Sequence, residues 1–540
     1  MFPLLERKRW TMGAYVNPDN DGFQTSVNSR IYVDKTDMIE YTNMVMDTEE
    51  KYICVSRPRR FGKSMAAKML AAYYSRGCDS KELFQYLNIA KVKSFGKNLN
   101  QCDVLYLDIQ WFRSIVKGKG ISDQLLFYIQ TEVIGELAEE YPEYVDEKAQ
   151  SLPEVLGRLY TKANKKFIII IDEWDCIFRE DKNNTALQEE FITFLRGLFK
   201  GGLADKFVKL AYITGILPIK KYGTQSALNN FDEYSMTDSG FFARYVGFTA
   251  DEVDELCRKY GMDFAEAQQW YDGYCFTKAP HIYNPRSIVK SMLSGEFGNY
   301  WTETETYESL KGYINLNYSG LKDSIISMLG GGVCEIDTGS FQNDMTSFKN
   351  KDDIMTLLVH LGYLSYDKSD KKVYIPNEEI REEFLRVVKN GNWDDMIRIV
   401  TGSKQLLDAT IMEYEDIVAS KIQMVHEDST SILNYNDENA LSCVITLAYI
   451  SARTDYIMIR EMPSGKGFAD IVFLPKRNSD KPAIVVELKW NKSLEGAISQ
   501  IEKKNYVKAL ENYGGKVLLV GVNYDKRTKE HQCRIKKCFK

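Results

Sequence analysis

An α/β protein of several domains is what the sequence predicts, and three observations carry that expectation. The chain has 540 residues, more than one hydrophobic core supports, so about three or four domains are expected. A Gly62-Lys63-Ser64 triplet stands between a short apolar stretch and a strong helix former. Beyond residue 400 the pattern changes to α-β-β-β-α-β, a second and smaller sheet with helices to either side.

Composition narrows the classes. Hydrophobic residues make up 44% and charged residues 27%, the balance of a globular chain with packed cores. No apolar run approaches the roughly 20 residues that span a bilayer. The opening MFPLLERKRW turns charged too soon for a secretory signal, so a cytoplasmic protein without a membrane partner is expected. Ten cysteines are scattered without a CxxC pair and read as reduced, mostly buried thiols. The four histidines, His281, His360, His426 and His531, are far apart in sequence, which argues against a zinc site or a His-based triad. A metal here is expected to sit on carboxylates and phosphates, hence Mg2+ or Mn2+. The net charge of −6 excludes a polybasic nucleic-acid binder. Local basic patches remain, in HQCRIKKCFK at the C-terminus and at Lys503, Lys504 and Lys508; they serve either to touch phosphate or as an ordinary solvated face.

Residues 51–64 read KYICVSRPRRFGKS, with a buried strand predicted over Tyr52–Val55 and a helix after Ser64. The triplet ends a G-x-x-x-x-G-K-[ST] loop. In that chemistry Gly62 lets the backbone amides face phosphate, Lys63 reaches the β- and γ-phosphates, and the Ser64 hydroxyl ligates Mg2+. Arg57 replaces the first glycine of the motif. KKFIIIIDEWD, residues 165–175, is an apolar strand ending in Asp172-Glu173. Asp172 is the expected metal carboxylate and Glu173 the residue that polarises the attacking water. A buried parallel strand with acids at its exposed end has the same pattern, and the upstream triplet is what favours the catalytic reading. Strands are also expected over CDVLYLDIQ (102–110) and KLAYITGIL (209–217). Thr214 closes the latter, either as a polar sensor of the γ-phosphate or as a plain strand-end threonine.

YVDKT (32–36), RPRRFGKS (57–64), the DEWD strand, GFTADEV (247–253), WYDGYCF (270–276) and YNPRSI (283–288) together resemble the bacterial AAA-ATPase-like family. In that family RPRRFGKS is the usual form of the loop, so Arg57 does not mark a dead site. The resemblance implies ATP and Mg2+ held by Arg59, Arg60, Phe61, Gly62, Lys63, Ser64, Asp172 and Thr214. Asp34, Lys35, Arg59 and Arg60 either contact nucleotide or form salt bridges that secure the loop.

Four regions are expected: an ATPase domain over 1–248, a helical lid over 249–330, a winged-helix-like segment over 331–400 and a C-terminal domain over 401–540. LGGGV (329–333) marks the boundary after the lid. Residues 352–388 read as helix, hairpin and helix; lacking a basic excess, this segment is expected to pack rather than bind DNA.

In the last region Asp470 opens one predicted strand and Glu487 closes the next, joined by the turn-rich PKRNSDKP. An antiparallel hairpin puts the two carboxylates opposite each other, and Lys489 shares a face with Glu487. Two carboxylates and a lysine on one spot suit metal-dependent phosphodiester hydrolysis. A surface hairpin with ordinary charges is the plainer alternative. With Glu438 on the leading helix and Gln500 on the following one, the order resembles the PD-(D/E)xK nuclease superfamily. The resemblance implies metal at Glu438, Asp470 and Glu487, catalysis by Asp470, Glu487 and Lys489, and a nucleic-acid partner, DNA before RNA. Lys503 and Tyr506 are further residues near that expected site.

The fold expected is therefore α/β multidomain: a P-loop NTPase parallel sheet with helical lid, a winged-helix-like middle and a PD-(D/E)xK-type domain. The function expected is ATP binding and hydrolysis that regulates a nuclease in the same chain; the alternative is a nucleotide-dependent switch that binds nucleic acid or protein without cutting. Assembly into a homo-oligomer is left open.

Overall fold

The computed structural model describes residues 13–538 apart from 223–224, 302–306, 317, 344, 390–392, 430–437, 465–466, 477–479 and 491–514. The chain forms two compact units, Met1–Glu305 with Glu335–Ile380, and Thr306–Cys334 with Arg381–Lys540. No helix among the described residues is long and apolar enough to cross a membrane.

The first unit is built on β1 (Tyr52–Ser56), α1 (Lys63–Tyr74), β2 (Asp103–Asp108), α2 (Ile109–Gly118), β3 (Phe167–Asp172), α3 (Cys176–Glu180), β4 (Val208–Gly215) and β5 (Asp232–Tyr234). The strands form one sheet in the order β2-β3-β4-β1-β5, every neighbour parallel. Parallel strands covered on both faces need apolar side chains at consecutive positions rather than alternate ones. The isoleucine run of β3 and the apolar run of β1 supply this, and both strands are buried along their whole length. β4 stands between β1 and β3, so the strand that enters the Gly62 bend and the strand that ends in Asp172 are not hydrogen-bonded neighbours. Register aligns Asp108 with Asp172, Asp172 with Thr214, and Thr214 with Val55. The carboxyl edge of the sheet, where α/β proteins place their ligands, thus presents these residues in one row.

Strand lengths differ from the sequence expectation at one informative place. The strand expected over 102–110 ends at Asp108, because that carboxylate accepts the Trp111 amide at 2.9 Å and caps α2.

The region expected to be helical after residue 249 carries the helices Ala250–Tyr260, Phe264–Tyr271 and α4 (Pro285–Ser294). It also holds a small antiparallel sheet of Phe248–Thr249, Ala279–Tyr283 and Tyr274–Phe276, which helical periodicity had hidden. Its aromatic residues build a core of their own around Phe248, Val253, Trp270, Tyr271, Tyr283 and Ile288. Further on, α5 (Lys351–Leu361), a hairpin of Ser365–Asp367 with Lys372–Tyr374, and α6 (Glu378–Lys389) follow in the expected helix, hairpin, helix order.

The second unit holds α7 (Glu438–Ala448) and a mixed sheet of β6 (Tyr456–Ser464), β7 (Gly467–Pro475), β8 (Ala483–Trp490), β9 (Val517–Asp525) and β10 (Glu530–Cys538), ordered as in the chain. β8 and β9 are parallel and the other pairs antiparallel. The helix expected near 494–512 lies outside the described residues. β7 begins at Gly467 rather than at Asp470, because Gly467 to Ala469 pair with the end of β6. The basic C-terminal stretch, expected only as a patch, is the edge strand β10. His531, Cys533 and Ile535 alternate inward with exposed Gln532, Arg534 and Lys536, a period of two that marks a half-buried strand.

Candidate functional site

One cavity of about 750 Å³ opens at the carboxyl edge of the parallel sheet. Arg59, Arg60, Phe61, Gly62, Lys63, Ser64, Asp172 and Glu173 all line it, so the loop and the acidic strand end meet as the motifs require. Gly62 makes the bend: its φ of 94° lies in the left-handed region, which a side chain disfavours, and it serves as N-cap of α1. Behind it the first amides of α1 lack intrahelical acceptors, a natural anion cradle.

Lys63 is buried, and its Nζ donates to the Pro58 carbonyl at 3.0 Å and lies 3.9 Å from Glu173 Oε1. Burial lowers its pKa, against the pull of Glu173, Asp175 and Asp172. Asp172 is 2% exposed. Burial pushes its carboxyl up to about 6, countered by a hydrogen bond from the Ser64 side chain and reinforced by Glu173 and Asp108. The Lys63–Glu173 pair joins the loop to the strand end. Glu173 sits at a φ of 53°, a strained conformation for a non-glycine residue. Burial raises its pKa, but Lys63, Arg179 and Arg59 together outweigh burial and hold the carboxyl below its ordinary range.

Among the described residues of the cavity, Ser64, Asp108, Asp172 and Glu173 offer oxygen donors. A serine hydroxyl beside a carboxylate suits Mg2+ or Mn2+ and suits zinc poorly. Among the described residues no three His, Cys, Asp or Glu side chains group so as to hold a metal by themselves. A cation here would therefore complete its shell with phosphate oxygens and water, as Mg2+ does in nucleotide sites.

Thr214 is fully buried, donates its hydroxyl to the Val55 carbonyl at 2.9 Å and does not line the cavity. Arg57, at the place of the motif's missing glycine, also turns away. Its guanidinium is buried, donates to the Ser56 and Tyr234 carbonyls at 2.8 and 3.0 Å, and lies 4.9 Å from the Phe276 ring centre. Burial lowers its pKa to about 10. Asp34 accepts from the Thr36 and Asn88 amides at 2.8 and 2.7 Å, and Lys35 pairs with Glu252 at 2.6 Å while lining the cavity.

Sequence reasoning did not single out Asp108, Arg179 and Arg286 among the polar residues of the cavity wall, nor Ser29, Gln110 and Glu180. Asp108 carried a usable signal, since LYLD ends β2 in an acid as IIID ends β3. Arg179 and Arg286 fall within no motif of the loop. Tyr245, Gly247, Phe248, Pro285, Arg286 and Val289 also line it, so the small sheet and α4 border the cavity.

In the second unit, β7 and β8 pair antiparallel with Ile471 opposite Val486. Continuing that register sets Asp470 opposite Glu487. The Asp470 carboxylate accepts the Leu488 amide at 2.6 Å, which pins it to β8. Lys489 Nζ is 3.0 Å from Glu487 Oε1, with both side chains buried. Asp470, Glu487 and Lys489 therefore gather on adjoining strands. Glu438 begins α7, while its side chain, like all of Gln500, Lys503 and Tyr506, lies outside the described residues.

Comparison with known proteins agrees with this division. Residues 23–224 match the family described as predicted AAA-ATPase, and residues 436–533 match the PD-(D/E)XK nuclease superfamily. A curated relative, an uncharacterized protein in the vnfD 5' region of Azotobacter chroococcum mcd 1, is 25% identical over 281 residues, which cover 51% of each protein. The chain thus spans about half the length of that relative. Among solved structures, the ORC2 protein of Aeropyrum pernix in ADPNP–ADP complexes aligns at 10% identity and a TM-score of 0.25, over 69% of this chain and 97% of that one. By its two family matches, this chain carries an AAA-ATPase-like domain over residues 23–224 and a domain of the PD-(D/E)XK nuclease superfamily over residues 436–533.

Proposed function

We propose that the chain hydrolyses ATP at the Gly62–Ser64 bend and that this turnover regulates phosphodiester cleavage at Asp470, Glu487 and Lys489. The observation that carries the first half is the convergence of Gly62, buried Lys63, Ser64, Asp172 and Glu173 on one cavity, with Lys63 Nζ 3.9 Å from Glu173 Oε1. Lys63 would meet the β- and γ-phosphates with the amides of the bend, releasing its contact with Glu173. Ser64 and Asp172 would hold Mg2+, which supplies charge neutralisation when bound. Glu173 accepts a proton from water as its oxygen attacks the γ-phosphorus and the bond to the ADP oxygen breaks. The lid face of Phe248, Pro285 and Val289 keeps bulk water out.

Asp470 and Glu487 offer carboxylate oxygens to a divalent cation, and Lys489 steadies charge on the phosphate under attack. Nucleic acid, with DNA before RNA, is the substrate class proposed, cut in Mg2+ or Mn2+. A panel of labelled single- and double-stranded DNA and RNA, digested with and without ATP, tests both halves. Cleavage that needs Glu487 and Lys489 and changes with ATP in a Lys63-dependent way is the expected result. Nucleic-acid binding without any cutting would favour the switch reading instead. Cleavage indifferent to Lys63→Ala would end the proposed regulation.

A further inference from the structure

Arg179 belongs to no motif, yet it occupies the most determined position in the nucleotide cavity. It lies on α3, is buried, and lines the cavity beside Glu173. Its Nη2 donates to Glu173 Oε2 and its Nε donates to Asp175 Oδ2 at 3.0 Å. Asp175, fully buried, is fixed in turn: the same Oδ2 accepts the amides of Ile216 and Leu217 at 3.0 and 2.7 Å, just past the end of β4. Gly215 makes room for this, since a β-carbon there would stand 2.5 Å from Asp175 Oδ1 and 2.8 Å from the Trp174 ring. The chain of contacts therefore runs from the backbone after β4, through Asp175 and Arg179, to the carboxylate of Glu173.

Such a chain has a chemical use. In this structure Glu173 pairs with Lys63 at 3.9 Å and with Arg179, and Arg59 adds a further pull. A nucleotide's phosphates compete with Glu173 for Lys63, so binding removes one of the two pairs. Arg179 is tied to Asp175 and keeps its hold. A planar guanidinium engages two carboxylates through separate N–H groups at fixed angles, which a lysine ammonium cannot do. The backbone of Glu173 is strained at a φ of 53°, so its side chain needs such an external tie to stay aimed.

We infer that Arg179 is a positioning residue for ATP hydrolysis: anchored by Asp175, it aims the Glu173 carboxylate at the attacking water after phosphate has taken Lys63. This rests on the ATPase reading above, and it adds to that reading a residue that touches neither phosphate nor water. It separates two tasks in the cavity, binding by Lys63 and orientation by Arg179.

The test is steady-state ATPase kinetics on the full chain with Arg179→Lys and Arg179→Met, beside ATP affinity from a fluorescent ATP analogue. Arg179→Met is expected to lower kcat about 100-fold, the scale of a mis-aimed catalytic group, with KM and analogue affinity within about 2-fold of the parent. Arg179→Lys, which keeps the charge and loses the fork, is expected to recover part of that loss. Thermal unfolding shows whether each variant is folded; if Arg179→Met is not, Arg179→Lys decides alone, through reduced kcat at unchanged affinity. Parental kcat in either folded variant overturns the inference. Loss of analogue binding in step with kcat also overturns it, because Arg179 would then be a phosphate ligand. Absence of turnover in the parent protein, or turnover unchanged by Lys63→Ala, sinks the ATPase reading itself, and that outcome is separate from the Arg179 result.

Discussion

The two sites of this chain are built by opposite strategies. The nucleotide cavity draws on residues from the loop before α1, the ends of β2 and β3, α3, and the lid sheet with α4. Several of its charged groups pair across elements, Lys63 with Glu173, Arg179 with Glu173 and Lys35 with Glu252. The carboxylate–lysine site instead gathers on two neighbouring strands, with Glu487 and Lys489 two residues apart on β8 and Asp470 bonded to the Leu488 amide between them. A site spread over many elements can be altered by moving one of them, which suits a part that changes with its ligand. A site set on one hairpin keeps its geometry as long as the hairpin is paired, which suits a cutting centre.

That contrast can be broken most forcefully at Lys63. Lys63→Ala is expected to weaken ATP binding by about 100-fold or more, since it removes a buried charge-assisted contact to phosphate and leaves Glu173 short of a cation. Isothermal titration with ATP and Mg2+ checks it. Affinity within a few-fold of the parent would mean that the bend is not a triphosphate cradle. Glu487→Ala comes next. Cleavage of a labelled duplex is expected to fall by about 100-fold or more, with ATP affinity untouched. A parallel loss of ATP affinity would show that the two sites are not separable.

Acid sensitivity sharpens the comparison, because each unit buries a histidine. Burial takes His360 in the first unit down to about 3, with Lys221 and Arg57 adding to the shift. Burial does the same to His531 in the second, aided by His426. An unfolded imidazole titrates near 6.5, so between about 6.5 and 3 the unfolded chain binds the extra proton. Stability is therefore full above about pH 6.5 and falls as pH drops toward 3, by up to about 1.4 kcal/mol per pH unit for each histidine. Urea midpoints measured from pH 7.5 to 4 test this, and His360→Leu should flatten only the transition of its own unit. The smallest effect is expected from Thr214→Val, a loss of about 1 kcal/mol from the broken bond to the Val55 carbonyl, with ATP turnover kept. Lost turnover at intact stability would restore Thr214 to the role of phosphate sensor.

Much of both sites was legible before any fold was known. Short apolar runs, a glycine at a bend and acids at strand ends are local signals, and they located β1, β3, β7 and β8 with the side chains proposed to act there. Other features carried no such mark. Arg57 sits where phosphate-binding loops have glycine, and only the packing of β5 and Phe276 shows that its charge is spent on main-chain carbonyls. The small antiparallel sheet was not legible because its strands, such as Tyr274–Phe276, are too short for a period of two to stand out.

By itself the sequence determined which residue types stand at the bend and at the strand ends, because backbone sterics and periodicity act between near neighbours. Tertiary structure decided which of them meet. The insertion of β4 between β1 and β3 sets the spacing between the Gly62 bend and Asp172 and places Thr214 beside Val55. The segment just past β4 carries the amides that hold Asp175, and through it Arg179, against Glu173. Such partnerships depend on the order of strands in space, which no local stretch of chain contains.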